Sequence, residues 1–135
     1  MYDFIILLSR YLFIIYIAVF VLMGLVFVTS ERSENYGRLP RAISVQRKVM
    51  ILMHLTAYAI LCWDREKSSV NINVIVSGAG ALVYLFVSSF LLGKIYSHGC
   101  PLIWNCMYFL MDAGLIMLQR LNPELANKQL VWMTV

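Results

Sequence analysis

Charge is scarce in this chain. Eleven lysines and arginines and seven aspartates and glutamates make up 13% of its 135 residues, while 61% are hydrophobic. A soluble domain is nearer half apolar and about a quarter charged. Too little polar surface remains to cover a water-facing globule, so length alone, which would suit one soluble domain, misleads. Cysteine is also sparse. Cys62, Cys100 and Cys106 are odd in number and show no C-x-x-C spacing, which supports neither a disulfide framework nor a zinc site and leaves three free thiols as the plain expectation. No basic stripe interleaved with aromatics occurs, so the net charge of +4 does not point to nucleic acid. The chain has no G-x-S-x-G, no H-E-x-x-H and no Walker loop; Gly78-Ala79-Gly80 lies inside an apolar stretch, where it serves packing rather than a phosphate cradle. Internal repeats, low-complexity tracts and a soluble domain are likewise missing.

What is present is a series of oily runs. The first spans about residues 4–28, and from Tyr11 to Val28 it carries no charge; about 20 apolar residues cross a hydrocarbon core. A signal peptide is the competing reading, with Val28-Thr29-Ser30 small enough for cleavage, but Asp3 precedes the run where a base belongs. The second run, 49–63, is short for a span. Arg47 and Lys48 can snorkel at one end and Trp63 suits an interface at the other. It reads either as a short span or as a packed internal helix. The third, 74–93, contains Ser77/Ala81 and Ser89/Gly93, small residues four apart that let helix backbones approach in lipid. The fourth, 102–118, follows Pro101 and carries Trp104 near its start. A fifth begins near residue 129 and is expected to be cut off at Val135. Lipid requires the backbone to bond to itself and no barrel pattern exists, so every element is expected to be helical: an all-α, polytopic bundle forming a single membrane domain over 1–135, four spans plus the start of a fifth.

The connections are short except for the first. Residues 29–48 hold Arg32, Arg38, Arg41, Arg47 and Lys48 against Glu31 and Glu34, and Asn35, Gly37 and Pro40 read as breakers. The positive-inside rule puts this loop in the cytoplasm. The amino terminus is then outside, residues 64–69 outside, 94–101 inside and 119–128 outside.

Polar residues within the runs are few. In the fourth, Asn105, Asp112 and Gln119 recur every seventh position and Tyr108 shares their face. A carboxylate at bilayer centre costs roughly 2.5–3.5 kcal/mol on the insertion scale, so Asp112 should face other helices or a wet cavity. It is either a polar lining and helix–helix glue, or one tolerated acid in a bundle. His54, in the second run with Thr56, Tyr58 and Cys62, reads as a hydrogen-bonded packing residue rather than a ligand, and His98 as a solvated loop residue.

The most specific stretch is Arg120-Leu121-Asn122-Pro123-Glu124-Leu125-Ala126-Asn127-Lys128-Gln129-Leu130-Val131-Trp132. Asn122 can cap a turn, Pro123 can start it, and Glu124 suits a helix amino end. Lys128, Gln129 and Trp132 suit the headgroup layer as a next span begins. This stretch resembles the SEDS family of bacterial cell-envelope proteins, the FtsW/RodA/SpoVE group, in which a short connection after an early span ends in K-Q-x-x-W. Gly114 to Leu118 with Arg120-Leu121 resembles the end of that early span. The tract from Gln46-Arg47 to His54-Leu55-Thr56-Ala57 is similar, more loosely, to longer-headed members of clostridia-like bacteria that carry extra spans ahead of the common core. The specific part of the resemblance covers roughly residues 105–132.

The resemblance implies the amino-terminal membrane part of a glycosyltransferase that polymerises lipid II into peptidoglycan beside a penicillin-binding transpeptidase, in division, cell shape or sporulation. Lipid II flipping is an older proposal for the family. It implies the bacterial cytoplasmic membrane, with Arg120 to Lys128 outside, in agreement with the loop charges. The family's essential acid lies in a large outside loop downstream, so no catalytic residue carries over and Asp112 does not stand in for it. No cofactor is expected in these residues; a divalent cation would belong to the full-length enzyme. Two other readings stay open: a non-catalytic membrane scaffold, and a transporter subunit whose path is lined by Asn105, Asp112 and Gln119.

Overall fold

The computed structural model describes residues 2–33, 37–64, 69–70, 72–96 and 99–134. Five helices follow one another: α1 (Tyr2–Arg32), α2 (Leu39–Cys62), α3 (Ile72–Ile95), α4 (Pro101–Leu121) and α5 (Pro123–Thr134), with two-residue strands β1 (Trp63–Asp64) and β2 (Ser69–Val70) between α2 and α3. The fold is all-α. Four helices, over Leu7–Arg32, Leu39–Cys62, Ile72–Ile95 and Pro101–Leu121, are long and apolar enough to cross a membrane. Even the shortest, of 21 residues, is about 32 Å long at 1.5 Å per residue, against a hydrocarbon core of about 30 Å. The chain is a multi-pass membrane protein. It divides into two compact units, Met1–Met53 and His54–Val135.

The distribution of side chains is that of a protein dissolved in lipid. The largest fully buried side chains are His54, Gln46 and Asp112. Leu25, Val83, Phe90 and Leu110, by contrast, are each more than half exposed. In water this arrangement would forfeit the hydrophobic effect. In hydrocarbon it is the stable one, because exposed aliphatic surface costs nothing there and polar groups must turn inward to find partners.

Three expectations need correction. The second span is not the short run 49–63. Helix α2 starts well before it, at Leu39, so most of the expected loop 29–48 is helical: α1 runs on to Arg32, and residues 34–36, with Glu34 and Asn35, lie outside the described residues. Pro40 does not break α2; it sits in the first turn, where a missing N–H is harmless. The residues that read as loop form an amphipathic start to the helix, with Ala42, Ile43, Gln46, Val49 and Met50 buried and Arg41, Ser44, Arg47 and Lys48 exposed.

Secondly, not every element is a helix. Trp63 pairs with Val70 and Asp64 with Ser69 in an antiparallel ladder, a way of satisfying backbone groups between two helices; Arg65, Glu66 and Lys67 lie outside the described residues. Thirdly, the fifth helix starts at Pro123, not near 129. The Asn122 side-chain oxygen accepts from the backbone N–H groups of Glu124 and Leu125, at 3.2 Å each, so it caps α5 as its type favours. Its own N–H donates to the Leu118 carbonyl at 2.8 Å, closing α4. One residue thus ends one helix and begins the next.

Gln46 donates from Nε2 to the Phe20 carbonyl at 3.1 Å, joining α2 to α1. The Thr29 hydroxyl bonds back to Leu25 of its own helix at 2.8 Å.

Candidate functional site

The polar face expected on α4 exists. Its buried residues are Asn105, Tyr108, Asp112, Leu115 and Gln119, a three-four alternation that holds one stripe on a 3.6-residue helix. Two other helices of His54–Val135 meet this stripe. From α2 come His54 and Tyr58; from α3 come Ser77 and Gly78.

His54 is the hub of the cluster. Its Nδ1 lies 2.5 Å from Asp112 Oδ1, and its Nε2 lies 3.1 Å from the Gly78 carbonyl oxygen. The side chains of His54 and Asp112 are 1% and 0% exposed. Tyr58, one turn on from His54, stacks on the imidazole with ring centroids 4.5 Å apart. One layer away, the Ser77 hydroxyl donates to Gln119 Oε1 at 3.0 Å. Each bond joins two helices, and buried polar groups left unpaired in lipid are costly, so the network specifies which faces meet.

Gly78 is required by space. A Cβ at this position would stand 2.5 Å from Tyr58 Cδ1 and 2.8 Å from Cγ. These are ring atoms close to the α2 backbone, not the end of a flexible chain. Without a Cβ, the α3 backbone comes close enough for its carbonyl to receive His54. Gly80 faces α5 in a milder version of the same approach, since a Cβ there would stand 3.1 Å from the Leu130 side chain.

The remaining expected residues fall as follows. Ser77 and Ala81 are buried, and Ser89 is half-buried. Gly93 is exposed, and a Cβ there would meet nothing within 4 Å. Arg120, Leu121, Asn122, Pro123, Glu124, Lys128, Gln129 and Trp132 are all exposed around the α4–α5 joint. Trp104 packs near Tyr96 with ring centroids 5.8 Å apart. The three cysteines are free. His98 lies outside the described residues. Among the described residues no group of three or more His, Cys, Asp or Glu could hold a metal ion.

The pairing of His54 with Asp112 goes beyond the sequence reading. A signal for it was available: each is an ionisable residue deep in a run expected to span or pack within the membrane, and opposite types so placed in a small bundle tend to meet.

The chain matches no protein-family model, no curated protein and no solved structure.

Proposed function

We propose that the chain is the membrane-embedded amino-terminal part of a SEDS-type peptidoglycan glycosyltransferase, a lipid II polymerase of the FtsW/RodA/SpoVE kind that works beside a penicillin-binding transpeptidase in the bacterial cytoplasmic membrane. The observation that carries this reading is the joint at Asn122. The R-L-N-P-E…K-Q-x-x-W stretch that bears the resemblance is a one-residue connection between two helices, α4 long enough to span, with Arg120, Glu124 and Lys128 all exposed beside it. Such a joint suits a polar bank at a membrane surface. In this reading the amino terminus and the joint are outside and the basic stretch 29–48 is cytoplasmic.

The part played by these residues is structural. Asp112 and Gln119 of α4 turn toward α2 and α3 and pair there, which is how a bundle is held together in lipid. Proteoliposomes carrying the complete gene product are expected to convert lipid II into glycan polymer on a gel, and the 135-residue chain alone is expected to give none. Polymer from these residues alone would overturn the structural role; no polymer from the complete product, with or without a transpeptidase, would overturn the enzyme assignment.

The second reading is a lipid-linked precursor flippase or transporter subunit. It is favoured by two buried polar atoms of α4, Tyr108 Oη and Asp112 Oδ2, that have no hydrogen-bond partner among the described residues. Transport of a fluorescent lipid-linked precursor that is lost in Asp112→Asn, with insertion intact, would select it.

A further inference from the structure

The hydrogen-bond geometry around His54 fixes a proton count. The Gly78 carbonyl can only accept, so His54 Nε2 must carry a hydrogen. The contact of Nδ1 with Asp112 Oδ1 at 2.5 Å then needs one proton between the two atoms. It can be drawn on nitrogen, as imidazolium and carboxylate, or on oxygen, as neutral imidazole and carboxylic acid. The count is the same, and so is the net charge, which is zero. Without that proton two lone pairs would face each other, and an uncompensated carboxylate would remain in a fully buried position.

We propose that His54 and Asp112 together form a proton-binding site, occupied by one proton when α2, α3 and α4 are packed, and that Tyr108 is the alternative partner of Asp112 once the proton leaves. The second part rests on the two orphaned atoms. Tyr108 Oη and Asp112 Oδ2 are buried and without partners among the described residues, and they belong to residues four apart on one helix, where side chains are neighbours. On proton loss the balance is simple. The proton passes to solvent water when the helices part, the imidazole keeps only its Nε2 hydrogen, and the carboxylate, now carrying the full negative charge, accepts from the Tyr108 hydroxyl instead of from His54. The titratable group that faces the pair from α2 is Tyr58, stacked on the imidazole. Helix α3 presents Ser77 and Gly78, and α5 presents Leu130 near Gly80, none of which titrates.

The pH dependence follows in sign. The packed arrangement requires the shared proton and the parted groups do not, so withdrawing protons from the solvent favours the parted state and raising the pH weakens the packing.

The test uses the 135-residue chain in nanodiscs. Histidine-ring 15N spectra, assigned against His98→Gln, should show an Nε2 hydrogen on His54 and an Nδ1 in contact with a proton at mildly acidic pH, replaced at alkaline pH by a neutral ring with a bare Nδ1. Thermal unfolding should move to lower temperature as the pH is raised. In Asp112→Asn the amide supplies a fixed donor to Nδ1, so the alkaline limb should flatten while the fold is kept. Tyr108→Phe should leave the acidic-range stability unchanged and soften the alkaline loss, because the freed carboxylate of the parted state loses its alternative donor. A His54 ring that lacks the Nε2 hydrogen, or wild-type unfolding with the same alkaline limb as Asp112→Asn, would overturn the proposal. Should Asp112→Asn fail to fold, the wild-type spectra decide alone.

Discussion

Helices α1 and α4 are both apolar enough to cross a bilayer, yet they use polar residues in opposite ways. Helix α1 has a charge-free stretch from Tyr11 to Val28 and exposes Leu, Ile and Val along most of its length. Its Thr29 bonds locally, to Leu25 a turn before it, and its Phe20 backbone carbonyl accepts from the Gln46 side chain. Helix α4 interrupts its hydropathy with a stripe of Asn105, Tyr108, Asp112 and Gln119, all buried, and two of these side chains bond to side chains of other helices. The first kind of helix is held in lipid by composition alone. The second carries information about which neighbours it accepts, because each polar side chain must find its partner or remain a cost.

Removing the partners one at a time puts this contrast at risk. The largest effect is expected from Asp112→Ala, which strands His54 Nδ1 in a fully buried position; breaking a buried ionisable pair costs about 3–5 kcal/mol. Reversible unfolding in mixed micelles, followed by circular dichroism, should show it as a large loss of stability. A loss under about 1 kcal/mol, the usual size for a hydrogen bond between membrane helices, would mean the pair does not organise its unit. Next comes Gly78→Ala. The added methyl meets the Tyr58 ring at 2.5 Å, and overpacking of this kind costs about 1–3 kcal/mol. Gly93→Ala is the internal comparison, since a Cβ there meets nothing within 4 Å; it should be neutral or slightly stabilising, as helical alanine is preferred over glycine by about 0.5–1 kcal/mol. Equal effects at the two glycines would remove the argument that α3 needs a close approach at Gly78.

The α4 stripe is readable in the sequence because seven-residue spacing fixes a face whatever the surroundings, and the spans are readable because hydropathy acts over long windows. The partner of Asp112 is hidden, because nothing in chain order says that a residue 58 positions earlier stands across from it; helix neighbours are chosen by packing in three dimensions. The amino end of α2 is obscured for a different reason. Gly37, Pro40 and a run of bases are loop signals in isolation, but proline is welcome in a first turn and bases are welcome on the exposed face of a helix emerging from lipid. The Asn122 joint is half legible: residue types announce the cap, while the start of α5 at Pro123 depends on the same asparagine closing α4. Removing that cap, in Asn122→Ala, is expected to cost about 1 kcal/mol and to do so locally. Hydrogen exchange should speed up at the Glu124 and Leu125 amides and not at those of Tyr108 or Asp112; uniform acceleration would show that α5 does not start as an independently capped helix.

The smallest change is expected from Gln46→Leu, although Gln46 is as completely buried as Asp112. The reason lies in what is left behind. Removing Asp112 abandons a ring nitrogen that has no substitute in the helix bearing it. Removing the Gln46 amide abandons the Phe20 carbonyl, which sits in the middle of α1, where helical geometry supplies a backbone donor four residues on. Only the second bond to that oxygen is lost, and leucine fills a similar volume. The expected loss is about 0.6 kcal/mol, the average found for polar contacts between membrane helices. Measured in the same micelles, a loss at Gln46 as large as that at Asp112 would show that burial depth, and not the availability of another partner, sets the worth of a polar side chain in this protein.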